Sequence, residues 1–157
     1  MSVPSANQII SQLTTQIHTQ SFKIEKKCDA EAQVLSLYLL DIAKTQTSCY
    51  QKVRFLAKQC KIASFISIGI SGTRFLCCKL IFINSNILPP TERESVSKAF
   101  AILGTLSFFM AVNDIAFVSQ IIRLEKQIFK NYVNLLKSCI VEQNRLLSTH
   151  RRIIEVD

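Results

Sequence analysis

The chain has 157 residues, 48% of them hydrophobic, with three glycines, three prolines and a net charge of +8. So little turn material excludes β-rich and α/β architectures, which need frequent breaks, and leaves a small number of long helices. The charge is uneven: residues 1–61 carry eight Lys/Arg against four acids, 62–122 four against three, and 123–157 seven against four. Basic arms therefore flank a nearly neutral middle.

Residues 1–22 contain no Asp, Glu, Lys or Arg and are rich in Ser, Thr and Gln. Ser5 followed by Gln8 has the spacing of a capping box, so a helix is predicted to start there, with Ile10, Leu13 and Ile17 as its apolar edge. The first cation is Lys23 and no apolar core precedes it, so no cleavable signal peptide is expected. This polar segment overhangs the rest and is expected either to bind elsewhere or to fold back.

Residues 23–61 read as an amphipathic heptad helix. Cys28, Leu35, Ile42, Cys49, Leu56 and Ala63 recur every seven residues, with Ala32, Leu39, Gln46, Val53 and Cys60 as companions. The predicted seam is carried by Leu35, Leu39, Ile42, Val53 and Leu56. Gln46 and the cysteines weaken it, so its expected partner is the C-terminal arm or a second copy.

Residues 62–122 read as an apolar helical hairpin, two segments of more than 20 residues (Ile62–Ile83 and Ala99–Ile122) joined by a turn near 84–91 around Pro89-Pro90. Small residues recur at steps of three and four in both segments: Ser64, Ser67 and Ser71 in the first, continuing to Arg74 and Cys78, and Gly104, Ser107 and Ala111 in the second, continuing to Asp114. A chain folded about Pro89 sets Ser64 against Asp114, Ser67 against Ala111 and Ser71 against Ser107. Facing small stripes let helix backbones approach closely, which is how helices associate in lipid. All three glycines, Gly69, Gly72 and Gly104, lie in these segments, where a membrane tolerates them better than a water-soluble helix does. Arg74, Lys79 and Asp114 are the candidate buried charges. A central Arg costs about 2.5 to 3.5 kcal/mol on insertion, and Arg74 and Asp114 fall about 15 Å out of register, too far for direct pairing. Each then needs an oligomer neighbour, a lipid head group or snorkelling. The competing interpretation is a soluble amphipathic pair with the same stripe facing water.

Thr91 and Glu94 have the spacing of a second capping box, so another helix is predicted from about Glu92 towards His150. Residues 123–157 form its basic amphipathic end, with Phe129, Tyr132, Leu136 and Leu146 completing the seam of the arms. Lys52, Arg54, Lys58 and Lys61 precede the first apolar segment and Arg123, Lys126 and Lys130 follow the second. The positive-inside rule then places both termini in the cytoplasm, with two membrane spans. The alternative location is the cytoplasm as a soluble protein.

No constellation for catalysis is present. His18 and His150 are far apart in sequence and have no Cys, Asp or Glu cluster beside them, and there is no glycine-rich phosphate loop. The expectation is a non-enzyme with no cofactor, no metal and no small-molecule substrate. The six cysteines lack a CxxC pattern and read as free thiols of a reducing compartment; adjacent Cys77 and Cys78 are expected to pack rather than to carry palmitate. Lys23, Lys26 and Lys27 and the His150-Arg151-Arg152 end are basic enough to touch anionic lipid, while nucleic-acid binding is not favoured because no aromatic residues interleave them.

A bilobed apolar hairpin between coiled-coil arms, after an uncharged polar N-terminal segment, resembles the layout of chlamydial inclusion membrane proteins. The resemblance is one of arrangement and carries no signature motif; Arg74, Lys79 and Asp114 depart from it. It implies type III secretion, insertion with both termini in the host cytosol, and recruitment of host partners. The expected fold is all-α, a long antiparallel helical hairpin with two apolar segments and coiled-coil-like arms. The expected function is a membrane-anchored scaffold or tether whose partners are membrane lipid and either partner helices or a second copy. The alternative is a soluble helical-bundle interaction module or effector.

Overall fold

The protein is all-α. A computed structural model describes residues 5–84 and 89–154, with the backbone alone for 90, 91 and 150–154. The described residues form three helices, α1 (Ala6–Lys27), α2 (Ala30–Asn84) and α3 (Pro90–Ile154), and no strand. Of the turn expected near 84–91, residues 85–88 lie outside the described residues. The second capping box depends on the Thr91 side chain, and the basic His150-Arg151-Arg152 end on side chains also outside them.

Helix α1 starts where its cap allows. The Ser5 hydroxyl accepts from the Gln8 N–H at 3.3 Å and the Gln8 side-chain oxygen accepts from the Ser5 N–H at 2.7 Å, so two of the orphan donors of the first turn are satisfied. It ends at Cys28, whose backbone is extended (φ −107°, ψ 163°). Asp29 then opens α2 by accepting from the Ala32 N–H at 3.0 Å. The Gln33 side chain donates back to the Glu25 and Cys28 carbonyls at 3.0 and 2.9 Å, closing the corner. The break falls at 28–29 and not at 22, where the composition changes, because capping groups decide where a helix stops and the appearance of charge does not.

The chain divides into two compact units, Met1–Val53 with Lys126–Asp157, and Arg54–Glu125. In the first, α1 packs against the start of α2 and the end of α3. Its core is Ile17, Ala43, Tyr50, Tyr132, Leu136, Cys139 and Ile140, with Ile10, Leu13, Leu39 and Phe129 partly buried against it. Tyr50 and Tyr132 stack with ring centroids 4.6 Å apart and planes 9° apart, and the Tyr132 hydroxyl lies 2.7 Å from that of Thr47. Ser36 near Gln143 and Tyr50 near Phe129 fix α2 and α3 as antiparallel. Of the residues expected to overhang, those from Ala6 onward fold back here as part of α1, with Ile17 and Ile24 sealed in the interior.

The buried line of α2 in this unit is Ser36, Ala43 and Tyr50, at seven-residue spacing. It runs one residue later than the predicted Leu35, Ile42, Cys49 line, and one residue turns a helix by about 100°. Leu39 and Ile42 are consequently half-buried, while Leu35 (40% exposed) and Val53 (39%) look outward. Three helices meeting closely select the small Ser36 and Ala43 for the centre, with Tyr50 stacked where space opens. On α3, Tyr132 and Leu136 are buried and Phe129 and Leu146 are half-buried.

A polar layer crosses this core. Gln20, Ser21, Ser36 and Gln143 are all buried. The Gln20 amide donates to Asn144 Oδ1 at 2.7 Å, Ser36 donates to the Ser21 hydroxyl at 3.2 Å, and the Gln143 amide reaches Ser36 at 3.5 Å. The Oε1 atoms of Gln20 and Gln143 are buried with no hydrogen-bond partner in the protein.

Candidate functional site: the apolar hairpin

The second unit consists of the apolar part of α2 and the apolar part of α3, paired as an antiparallel hairpin. Lys61 meets Glu125 at one end, Nζ to Oε2 2.7 Å, and Cys78 meets Gly104 towards the other. Phe75 and Phe108 lie between, with ring centroids 5.8 Å apart.

Its small side chains face the helix contact and many of its large apolar ones face outward. The buried residues are Ser64 and Ser71 on α2 and Ser107 and Val118 on α3, with Gly104 buried beside them. Ser67 and Ala111 are half-buried. Phe65 (61% exposed), Ile66, Ile70, Leu76 and Leu80 project outward from α2, and Ile102, Leu103, Leu106, Phe109 and Met110 from α3. Both helices are long and apolar enough to cross a membrane, and only 6% of the most apolar stretch of α2 and 17% of that of α3 is buried in the protein. A helix that is apolar all round and serves as a soluble core is covered by its neighbours; these are not.

The helices meet one turn away from the predicted register. A fold about Pro89 sets Cys78 opposite Phe100, whereas Gly104 is the residue against Cys78: a Cβ added to Gly104 would stand 3.4 Å from the Cys78 Cβ and 3.9 Å from the Phe75 ring. The missing side chain of Gly104 lets α3 pack close against Cys78 there. Gly69 and Gly72 do not share this role, since a Cβ on either meets nothing within 4 Å.

The three candidate charges separate. Arg74 and Lys79 are exposed, not buried, because the inward line of α2 passes from Ser71 to Phe75 and Cys78 and leaves Arg74 on the outer flank. Asp114 is half-buried in the hairpin interior, and its Oδ2 is buried without a partner. Leu56, expected in the seam of the arms, is 61% exposed. A shallow cleft of about 230 Å³, lined by Phe75, Cys78, Lys79, Phe82, Phe100 and Gly104 among others, lies between the helices. Among the described residues no three His, Cys, Asp or Glu side chains gather where they could hold a metal ion. The buried polar layer of the first unit is a feature that sequence periodicity did not single out; Gln20 and Ser21 continue the Ile10, Leu13, Ile17 edge of α1 into it.

No family model, curated protein or solved structure matches the chain.

Proposed function

We propose that the protein is a non-enzymatic, membrane-anchored helical scaffold, in which the hairpin of the second unit crosses the bilayer twice and the three-helix first unit engages partner helices. The observation that supports it best is the inverted sorting of side chains in the hairpin, with serines and a glycine inside and large apolar groups outside. In water that arrangement leaves Phe, Ile and Leu side chains along both helices without cover; in hydrocarbon it costs nothing, and small residues at the contact supply the packing that holds helices together there. The lengths agree. Ile62–Ile83 and Ala99–Ile122 rise about 33 and 36 Å at 1.5 Å per residue, against a hydrocarbon core of about 30 Å. Under the positive-inside rule, the cationic residues Arg54, Lys58, Lys61 and Arg123 favour the cytoplasmic side for the end of the hairpin where they lie.

Arg74 opposes insertion, at about 2.5 to 3.5 kcal/mol for a central cation. Its exposed position lets the guanidinium snorkel along the outer flank or meet a neighbouring copy. The arrangement of apolar lobes and arms is also what the inclusion-membrane resemblance rests on, and a secreted bacterial tether is a specific form of the same proposal.

Fractionation of the expressed protein followed by an alkaline carbonate wash tests it. Retention in the washed pellet with release by detergent is the expected result. A monodisperse protein in the soluble fraction would instead favour the soluble interaction module, with the exposed apolar helices as its partner-binding surface.

A further inference from the structure

The charges of the second unit are sorted along the hairpin. At the Lys61–Glu125 end there are four cations, Arg54, Lys58, Lys61 and Arg123, against one acid, Glu125. That acid is committed to Lys61 at 2.7 Å, with both side chains about three-quarters covered, while Lys58 and Arg123 are exposed. The opposite end is nearly balanced: Lys79, Arg93 and Lys98 face Glu92 and Glu94, and Lys98 pairs with Glu94 at 2.6 Å. Immediately inside the cationic end the exposed residues turn apolar, with Phe65 and Ile66 on α2 and Phe117 and Ile122 on α3.

We infer that this cationic collar binds the head groups of anionic phospholipids, with Lys58 and Arg123 meeting the phosphate and the acyl chains lying along Phe65, Ile66 and Phe117. The inference rests on the membrane-anchored proposal and adds the lipid class. A cation near an anionic leaflet is attracted to it, and the Lys61–Glu125 pair engages the one acid that would offset the attraction. A free phosphate or a nucleic acid could satisfy the same charges, but neither would use the apolar side chains directly beneath them.

The test reconstitutes the full chain in phosphatidylcholine vesicles and measures, by electron paramagnetic resonance, the association of spin-labelled phosphatidylglycerol relative to spin-labelled phosphatidylcholine. The expected result is a several-fold preference for phosphatidylglycerol that falls as salt is raised. The variant K58Q/R123Q should bring the two lipids to near-equal association, and K98Q at the balanced end should keep the preference. Equal association of the two lipids, or a preference that survives K58Q/R123Q, would overturn the inference while leaving insertion itself intact. If the chain resists reconstitution and fails the carbonate wash, the membrane proposal falls. Flotation with phosphatidylglycerol vesicles then decides the collar alone: binding abolished by K58Q/R123Q supports it, and no binding overturns it.

Discussion

Gly104 of α3 stands against Cys78 of α2 so closely that a Cβ on the glycine would lie 3.4 Å from the cysteine's own Cβ. One methyl group fits at that distance and four carbons do not. Gly104→Ala is expected to keep the hairpin and to gain up to about 1 kcal/mol in helix propensity, whereas Gly104→Leu forces the helices apart at a cost of about 1 to 3 kcal/mol. Maleimide labelling of the half-buried Cys78, in chains retaining that cysteine alone, reads the difference: Gly104→Leu should speed it and Gly104→Ala should leave it unchanged. Gly69→Leu and Gly72→Leu serve as controls, since space at both is open; neither should alter the labelling.

The polar layer of the first unit leaves Gln143 fully buried with its Oε1 unpartnered. An unsatisfied buried acceptor costs about 1 to 3 kcal/mol, and the bond it keeps to Ser36 is long at 3.5 Å. Gln143→Leu should therefore raise stability by about 1 kcal/mol, seen as a higher midpoint in guanidinium unfolding followed by circular dichroism. A lower midpoint would mean that the layer is satisfied by ordered water and contributes net stability.

Burial pushes the Cys139 thiol above its ordinary value of 9.0, and burial first and the neighbouring Asp29 second do the same for Cys28. The fold favours the neutral thiol. Its contribution to stability is complete below pH 9 and is lost as pH climbs through the raised folded value. Unfolding midpoints should fall between pH 8 and pH 10.5 more steeply for the native chain than for Cys139→Ala. At pH 8, Cys28 and Cys139 should react with a soluble thiol reagent more slowly than the exposed Cys49 and Cys60.

Arg74 is exposed near the middle of the α2 apolar segment. On the membrane proposal Arg74→Leu removes a cost of about 2.5 to 3.5 kcal/mol and should shift the segment decisively towards insertion in a translocon assay that scores span formation. On the soluble alternative the same change adds one more apolar group to a wet surface and should promote aggregation.

The all-α hairpin was legible because scarce glycine and proline leave little else, and because the stripe Gly104, Ser107, Ala111, Asp114 on α3 is flanked by large apolar residues that make one face distinct. The arm part of α2 offers no such contrast. From Val34 to Leu56 apolar residues lie on every side of it, and choosing the largest of them pointed to Leu35, Val53 and Leu56. The helices of the first unit instead close on Ser36 and Ala43, one residue further round. Size at a helix contact is set by the partner, which a single segment does not reveal. The return of α1 was half legible for a similar reason: Ile10, Leu13 and Ile17 gave it an apolar edge, but the buried Gln20 and Ser21 that continue it are polar and carry no apolar periodicity. The glycines divide along the same line, with Gly104 at a contact and Gly69 and Gly72 in open space, a distinction that depends on which way each points and not on what it is.

The most direct measurement places spin labels on the outward face of the hairpin, at the native Cys77 and at Met110→Cys in otherwise cysteine-free chains, and compares their collisions with oxygen and with a water-soluble nickel complex in reconstituted vesicles. Both side chains are exposed on the apolar segments. A hairpin within the bilayer gives high oxygen and low nickel accessibility at both sites, with the reverse at Cys49 in the first unit. High nickel accessibility at Cys77 and Met110→Cys would contradict the account, placing these apolar faces in water.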